Sequence, residues 1–452
     1  MTHHNHVGAC REAAAEAAFP EEARLLIFDL RSQPHYRIPL ALEGASHKTD
    51  RAGRGLFFTR PDSADICVLP SDFDHDHLNW LYTVGLGPHP SQIHFVEKSE
   101  ADVQLLSTSC NSDQVKKHFS KSTVVPFYVG PDEDSLSKAL GENRLFGSSE
   151  EIALVFNDKI SNKELCRRAG LPTVSGLAIS SNQTLHEKLS AAFQMLEAEG
   201  NIIIRTARGS GGSGIAIVRG EDPSADDVLH TFFSSHGRSE SCLIEAFLPV
   251  VDSLNIQFAV SSSQLTFIGM SAQLLAGGTK HEGNQGGYRF LGDRIPIEFR
   301  EAARGASTLA RLAQEIGYEG ILGFDFILTE SGETYCIETN ARVNGSTLAH
   351  QVVHHVAARH REMVPDLTWA LVTLDTAFKT FWELSHAIQS ENLSLLKPGT
   401  LDPDTHIVPV EHLGDGRWSV LVIDSHCEHP IEYLTSQIAE TLSTSRFTSL
   451  VV

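Results

Sequence analysis

Asp325, Glu338, Asn340 and Arg342 are the residues whose types and spacing promise chemistry. They lie in two runs, Ile321 to Leu328 and Tyr335 to Arg342, separated by the polar segment Thr329-Glu330-Ser331-Gly332-Glu333-Thr334. Apolar, aromatic and β-branched runs around such a segment predict a β-hairpin, and Ser331-Gly332 suits a two-residue loop. With that loop Glu330 faces Glu333, and counting along the ladder sets Asp325 opposite Glu338. Phe324, Phe326 and Leu328 then stand opposite Thr339, Ile337 and Tyr335 as the core face. Facing carboxylates destabilise a hairpin unless a cation lies between them, and the period of two puts Asn340 and Arg342 on the face of Glu338. Two carboxylates and an amide are hard oxygen donors that suit Mg²⁺, which keeps several waters and shares phosphate oxygens with a nucleotide. The hairpin is therefore expected to floor a Mg-nucleotide site. A surface hairpin with incidental acids is the alternative.

The preceding chain offers cations and a glycine-rich loop to such a site. Asp158 is a good N-cap for a helix whose apolar stripe is Leu165, Cys166 and Ala169, and Gly170 with Pro172 stops it. Lys159 at its start runs against the macrodipole preference for acids, so an anion within its reach explains it better than helix stability does; a plain surface lysine is the alternative. Asn201 to Val218 places Arg208-Gly209-Ser210-Gly211-Gly212-Ser213-Gly214 between two β-branched runs. No Gly-Lys-Ser/Thr follows, and the next element reads as a strand, which excludes a Walker loop and a Rossmann turn. What remains is a flap whose backbone amides close on phosphates, with Arg205 and Arg208 to neutralise charge. Ser241 to Leu248 is an apolar strand with Glu245 near its end. Ala276 to Arg289 is so polar and glycine-rich that it reads as a long substrate loop.

Composition sets the class. The 452 residues, 41% of them hydrophobic, suffice for about three globular units. A formal charge of −21 argues against nucleic acid or a membrane surface as partner. Seven cysteines without a CxxC pair point to a reducing cytosol rather than a disulfide framework or zinc ribbon, and cytoplasmic localisation is expected. No signal-like or membrane-spanning run is present in the sequence. The first twenty or so residues, with His3, His4 and His6, read as a loose tail. Strands at Leu25 to Phe28, Ile66 to Leu69, Ile93 to Val96 and Val124 to Val129, with a helix-like Asp102 to Phe119, predict a leading, mainly parallel α/β layer. Asp72 to His77 reads as a solvated loop or substrate-facing edge, with a metal site as the alternative. Near the C-terminus a histidine-bearing helix with His350, His354, His355 and His360, a long helix from Leu367 to Ile388, and strands near 406–410 and 418–423 are expected. His350 and His354 share a helix face, but no acid or third ligand accompanies them.

In this order, from about Asn157 to Thr347, the pieces resemble an ATP-grasp enzyme. The resemblance implies an α/β fold, α+β in parts: a flexible tail over 1–20, a Rossmann-like pre-ATP-grasp domain over 21–130, an ATP-grasp domain over 131–355 with a glycine-rich lid at about 173–246, and a small C-terminal α/β extension over 356–452. It implies that Lys159 and Arg205 contact ATP phosphates, that Gly209, Ser210, Gly211, Gly212, Ser213 and Gly214 form the lid, that Glu245 with the backbone of Ala246 and Leu248 holds adenine, and that Asp252 takes the ribose. Asp325, Glu338 and Asn340 match the Mg²⁺ positions, where Mn²⁺ is an alternative. Arg342 matches the arginine that holds a carboxylate or acyl phosphate, and Arg289 and Lys280 complete the expected catalytic set. Arg205 stands where the family usually has lysine. The two ends resemble pheganomycin-type peptide ligases. The implied activity is ATP-dependent joining of a carboxylate to an amine through an acyl phosphate, on amino-acid or peptide substrates in specialised metabolism. Loading of an amino acid onto a carrier protein, and a non-catalytic ATP-binding module, are the alternatives; a homodimer is admitted.

Overall fold

A computed structural model describes residues 19–28, 52–96, 119, 121–140, 145–209, 214–235, 240–276, 280–287, 297–360, 367–391, 393–398, 405–414, 416–425 and 431–442. The amino-terminal histidines, most of the expected helix at 102–119, Ser210 to Ser213 of the flap, and Arg289 lie outside them, as does the side chain of Lys280.

The leading layer is parallel. β1 (Arg24–Ile27), β2 (Ile66–Pro70), β3 (Ile93–Val96) and β4 (Thr123–Pro126) are ordered β3-β2-β1-β4. Helix α1 (His75–Val84) follows β2, and α2 (Pro131–Ala139) follows β4. Within the Asp72 to His77 cluster, Asp74 and His77 have structural roles. Asp74 is the N-cap of α1, accepting from the amides of Asp76 and His77, and its second oxygen accepts from the Phe381 amide at 2.6 Å. His77 is buried, bonds the Pro409 carbonyl at 3.0 Å and stacks on Phe381.

Next come α3 (Glu150–Asn157) and α4 (Lys159–Arg168), the latter capped by Asp158, whose Oδ1 accepts from the Ile160 and Ser161 amides. A second sheet is built from β5 (Gly176–Ile179), α5 (Leu185–Glu199), β6 (Asn201–Thr206), β7 (Ile215–Arg219), α6 (Ala225–Ser235) and β8 (Cys242–Ala246). Its strand order is β5-β8-β6-β7, antiparallel throughout. The flap thus joins neighbouring strands β6 and β7.

The largest sheet follows: β9 (Val250–Val260), β10 (Leu265–Ala276), β11 (Lys280–Gly286), α7 (Ile297–Ile316), β12 (Gly320–Thr329), β13 (Thr334–Ala341), α8 (Gly345–His360), β14 (Thr368–Asp375), α9 (Phe381–Ser390), β15 (Thr405–His412), β16 (Arg417–Asp424) and α10 (Ile431–Leu442). Its eight strands run β13-β12-β9-β10-β11-β14-β16-β15. Two sequence expectations are corrected here. Lys280 to Gly286 is an inner strand rather than a loop, paired with β10 and β14. Its glycine content reflects close packing: a Cβ on Gly283 would stand 2.2 Å from the Leu371 carbonyl oxygen. The expected long helix over Leu367 to Ile388 is a strand and a shorter helix, because Thr368 to Asp375 pairs with β11 and β16 on its two sides. Tertiary pairing decides such an apolar run, which periodicity alone leaves ambiguous.

Of the α8 histidines, His350 is core, and His354 and His355 are half-buried. His350 is buried edge-on to Trp369, and burial pulls its pKa down to about 3. His354 falls to about 4 through burial and then through neighbouring His355, and His77 reaches about 4 through burial against the opposing bond to Pro409. Among the described residues no three His, Cys, Asp or Glu side chains group to hold a metal, and no helix is long and apolar enough to cross a membrane.

Candidate functional site

The hairpin of β12 and β13 brings Asp325 opposite Glu338 by a route the sequence does not disclose. Its loop has three residues: the Thr329 amide donates to the Glu333 carbonyl, the Gly332 amide donates back to Thr329, and Gly332 adopts φ +83°. Glu330 therefore does not face Glu333. The ladder runs Leu328 to Thr334, Ile327 to Tyr335 and Phe326 to Cys336, one step off the expected register. A bulge between Asp325 and Phe326 takes up Ile337 and restores the pairing of Asp325 with Glu338 and Phe324 with Thr339. The extra residue also turns the Ile337 carbonyl toward Arg205 Nη1, which donates to it at 3.0 Å.

Asp325 is buried within a polar set. Its Oδ1 accepts from Asn255 Nδ2 at 2.6 Å and Gln273 Nε2 at 3.1 Å, and its Oδ2 accepts from Asn340 Nδ2 at 2.9 Å. Burial, and then the Glu338 charge, push its pKa up to about 6, against the pull of Asn255, Arg342 and Asn340. Arg342 Nη1 donates to Asn340 Oδ1. Lys159 Nζ lies 3.4 Å from Glu338 Oε1 and donates to the Gly209 carbonyl at 3.1 Å, so it links the hairpin to the base of the flap. A dication fits these residues: two facing carboxylates and an amide oxygen supply hard donors, and a cation would relieve both the burial of the Asp325 charge and the Glu338 repulsion that raise the Asp325 pKa.

Arg205 and Glu245 form a buried unit. The Glu245 carboxylate accepts from Lys163 Nζ at 2.7 Å and from Arg205 Nη2, and Lys163 also donates to the Val174 carbonyl. The side chain of Glu245 therefore holds two cations in place beside the cavity. Arg205 Nε is buried without a partner among the described residues. A guanidinium fork serves this three-way arrangement where an ammonium would give a single point of charge.

One cavity of about 430 Å³ joins these groups. Val174, Ile203, Ile215, Phe247, Leu248 and Ile327 give it an apolar wall beside Arg205, Glu245 and Ala246. Asp325, Glu338, Asn340 and Arg342 line it further on, with Arg54, His281, Glu282 and Asn284. Lys159 is not among the lining residues but touches one of them, Glu338. Asp252 is not among its lining residues, and its carboxylate accepts from the Ser253 amide at 2.9 Å; neighbouring Ser253 lines the cavity instead. Sequence reading missed Ser253, Asn255 and Gln273. A signal existed, since Ser253, Asn255 and Gln257 alternate with Leu254, Ile256 and Phe258 along β9, a polar face too regular for a solvent edge. That face is buried and satisfied: Gln257 Nε2 donates to Asn255 Oδ1 at 2.7 Å and to Ser346 Oγ at 2.6 Å.

Comparison with known proteins bears on the fold. Residues 186–340 match the model of a family described as L-aspartate–L-methionine ligase, ATP grasp. The chain is 23% identical over 228 residues to the [butirosin acyl-carrier protein]–L-glutamate ligase of Niallia circulans, covering 50% of this chain and 52% of that protein. It is 29% identical over 203 residues to the biotin carboxylase of Pseudomonas aeruginosa, covering 44% and 42% respectively. The match thus spans about half or less of these curated relatives. Among solved structures, biotin carboxylase from Campylobacter jejuni in complex with an ATP analogue superposes with a TM-score of 0.58 at 14% identity, over 93% of this chain and 92% of that one. N5-carboxyaminoimidazole synthetase from Staphylococcus aureus with ADP gives 0.55 at 12% identity, over 93% and 96%. The family match runs through the hairpin to Asn340, and the solved structures share the fold, an ATP-grasp fold, across nearly the whole chain.

Proposed function

We propose that the chain is an ATP-dependent ligase that activates a carboxylate as an acyl phosphate and joins it to an amine, with an amino acid among its substrates. The observation that carries the reading is the union, in one cavity, of the Asp325–Glu338 pair and Asn340 with Arg342 on one side and Arg205 with the apolar wall on the other. The wall and the end of β8 take the base of ATP, and Arg205, Lys159 and the flap amides take its phosphates. Asp325, Glu338 and Asn340 would hold Mg²⁺, which neutralises phosphate charge as it builds up. Arg342 presents the carboxylate, whose oxygen attacks the γ-phosphorus as the bond to the β-phosphate oxygen breaks and ADP departs. The amine nitrogen then attacks the acyl carbon, phosphate leaves with the oxygen that linked it to carbon, and the nitrogen gives up its proton. Positioning and electrostatics suffice for both steps, so no side-chain nucleophile is required. A carrier protein in place of the free amine is a second reading, favoured by the likeness to the acyl-carrier protein ligase.

ADP release across a panel of amino acids, peptides and carrier proteins tests the reading, with hydroxylamine added to trap the acyl phosphate as a hydroxamate. An amino-acid-dependent hydroxamate supports it; ADP release indifferent to every acid and amine overturns it. Arg342→Lys keeps the charge but loses the planar fork, so kcat/KM for the carboxylate is expected to fall about a hundredfold while the KM for ATP stays within about twofold. Separate kinetic constants for the two substrates check this.

A further inference from the structure

The substrate end of the cavity contains a second arginine, contributed by the leading layer. Arg54 lies in the 3₁₀ turn Ala52–Phe58, is 7% exposed and lines the same cavity as Arg342. Its Nε donates to Glu411 Oε2 at 3.0 Å, and its guanidinium carbon lies 5.9 Å from the centre of the Phe127 ring. Phe127 leads directly to Arg342: its carbonyl accepts from the Val343 amide at 3.1 Å, and Tyr128 bridges Arg342. Gly345, at the start of α8, projects no side chain here. A Cβ at that position would lie 3.9 Å from both Arg54 Nη1 and Asn284 Oδ1, so both groups stand beside Gly345, and all three residues line the cavity. Leu371, Thr373, Leu413 and Ser419 close this end with small and apolar surface.

Resting on the ligase reading above, we propose that Arg54 binds a second carboxylate of the amino-acid substrates, apart from the one that Arg342 presents for activation. Glu411 holds the Nε edge of Arg54 and so fixes the plane of the fork, a preorganisation that favours a planar carboxylate. Two sources carry that chemistry: the second carboxylate of a dicarboxylic donor, and the α-carboxylate of an amino-acid acceptor. Arg54 makes either kind of substrate distinguishable from its amide, because a site built around charge is left unsatisfied by the neutral analogue.

The test uses the full-length chain with Mg²⁺ and the β,γ-imido analogue of ATP, and reads the melting-temperature shift on adding aspartate or glutamate against asparagine or glutamine, and alanine against alaninamide. Two variants are compared: Arg54→Lys, which keeps the charge beside Glu411, and the double change Arg54→Met with Glu411→Gln, which removes the buried pair together. Both are expected to keep the nucleotide-induced shift and to weaken binding of the carboxylate-bearing member of one pair about ten- to a hundredfold, leaving its amide unaffected. Loss confined to aspartate and glutamate assigns the donor, and loss confined to alanine assigns the acceptor. A wild type with no nucleotide shift sinks the ligase reading and the proposal with it. A normal nucleotide shift overturns the proposal alone if no amino acid binds the wild type, if acid and amide lose affinity equally, or if the variants bind amino acids as the wild type does. Variants that lose the nucleotide shift place Arg54 on the nucleotide and also overturn it.

Discussion

Glu338→Gln is expected to lower turnover by about a thousandfold or more, since one fewer negative oxygen at the proposed Mg²⁺ position removes several kcal/mol of phosphate charge stabilisation. The fold should survive. Glu338 is only partly buried, its pairing with Asp325 sets like charges face to face, and its charge is the second cause, after burial, of the raised Asp325 pKa. Relieving that repulsion costs the hairpin nothing and leaves Lys159 its bond to the Gly209 carbonyl. ADP release over a Mg²⁺ titration, with a urea midpoint measured alongside, separates the two effects. A variant with wild-type turnover at the same Mg²⁺ concentration removes Glu338 from the metal set, and a variant that unfolds makes it structural.

Acid should destabilise the protein steeply. His77, His350 and His354 are held neutral, with pKa values near 4, 3 and 4, whereas the unfolded chain protonates such rings near the ordinary 6.5. Their folded-state pKa values are depressed, so the unfolded state binds the extra protons as pH falls below about 6.5. Stability is then fully present above that pH and drains away toward pH 4. Asp325 acts in the opposite sense, because a folded pKa near 6 lets the native state take up a proton that the unfolded carboxyl takes only near 4. Three groups against one leave about two protons of difference, or about 3 kcal/mol of stability lost per pH unit below 6. Urea denaturation at pH 7, 6 and 5 measures the slope. His77→Phe, which keeps a ring against Phe381, should reduce the slope by about one group; an unchanged slope would place His77 outside the account.

The hairpin shows how far local pattern reaches. Asp325, Glu338 and Asn340 are legible because acids inside apolar β runs are costly without a purpose, yet the three-residue loop and the bulge at Ile337 are invisible in residue types, and the expected pairing survives because the two shifts cancel. Lys159 is legible through its cap and its unfavourable place at the start of α4. Lys280 to Gly286 misleads for a physical reason: glycine and buried amides mark loops in general, but here they permit the close approach of β14 and place Asn284 in the cavity. Arg54 and Glu411 stand 357 positions apart, and only the folded sheet brings them together. Glu245 on β8 likewise gains its partners Lys163 and Arg205 from two other elements, α4 and β6, which no local window contains.

In the proposed reaction the γ-phosphate passes to a carboxylate oxygen before the amide forms. Turnover of an amino-acid donor whose carboxylate carries ¹⁸O, with mass analysis of the released phosphate, tests it directly. The account predicts one ¹⁸O in each phosphate released by ligation, because the oxygen that attacked phosphorus leaves with it when the amine displaces the acyl group. Amide product formed with unlabelled phosphate, or with AMP in place of ADP, would contradict it.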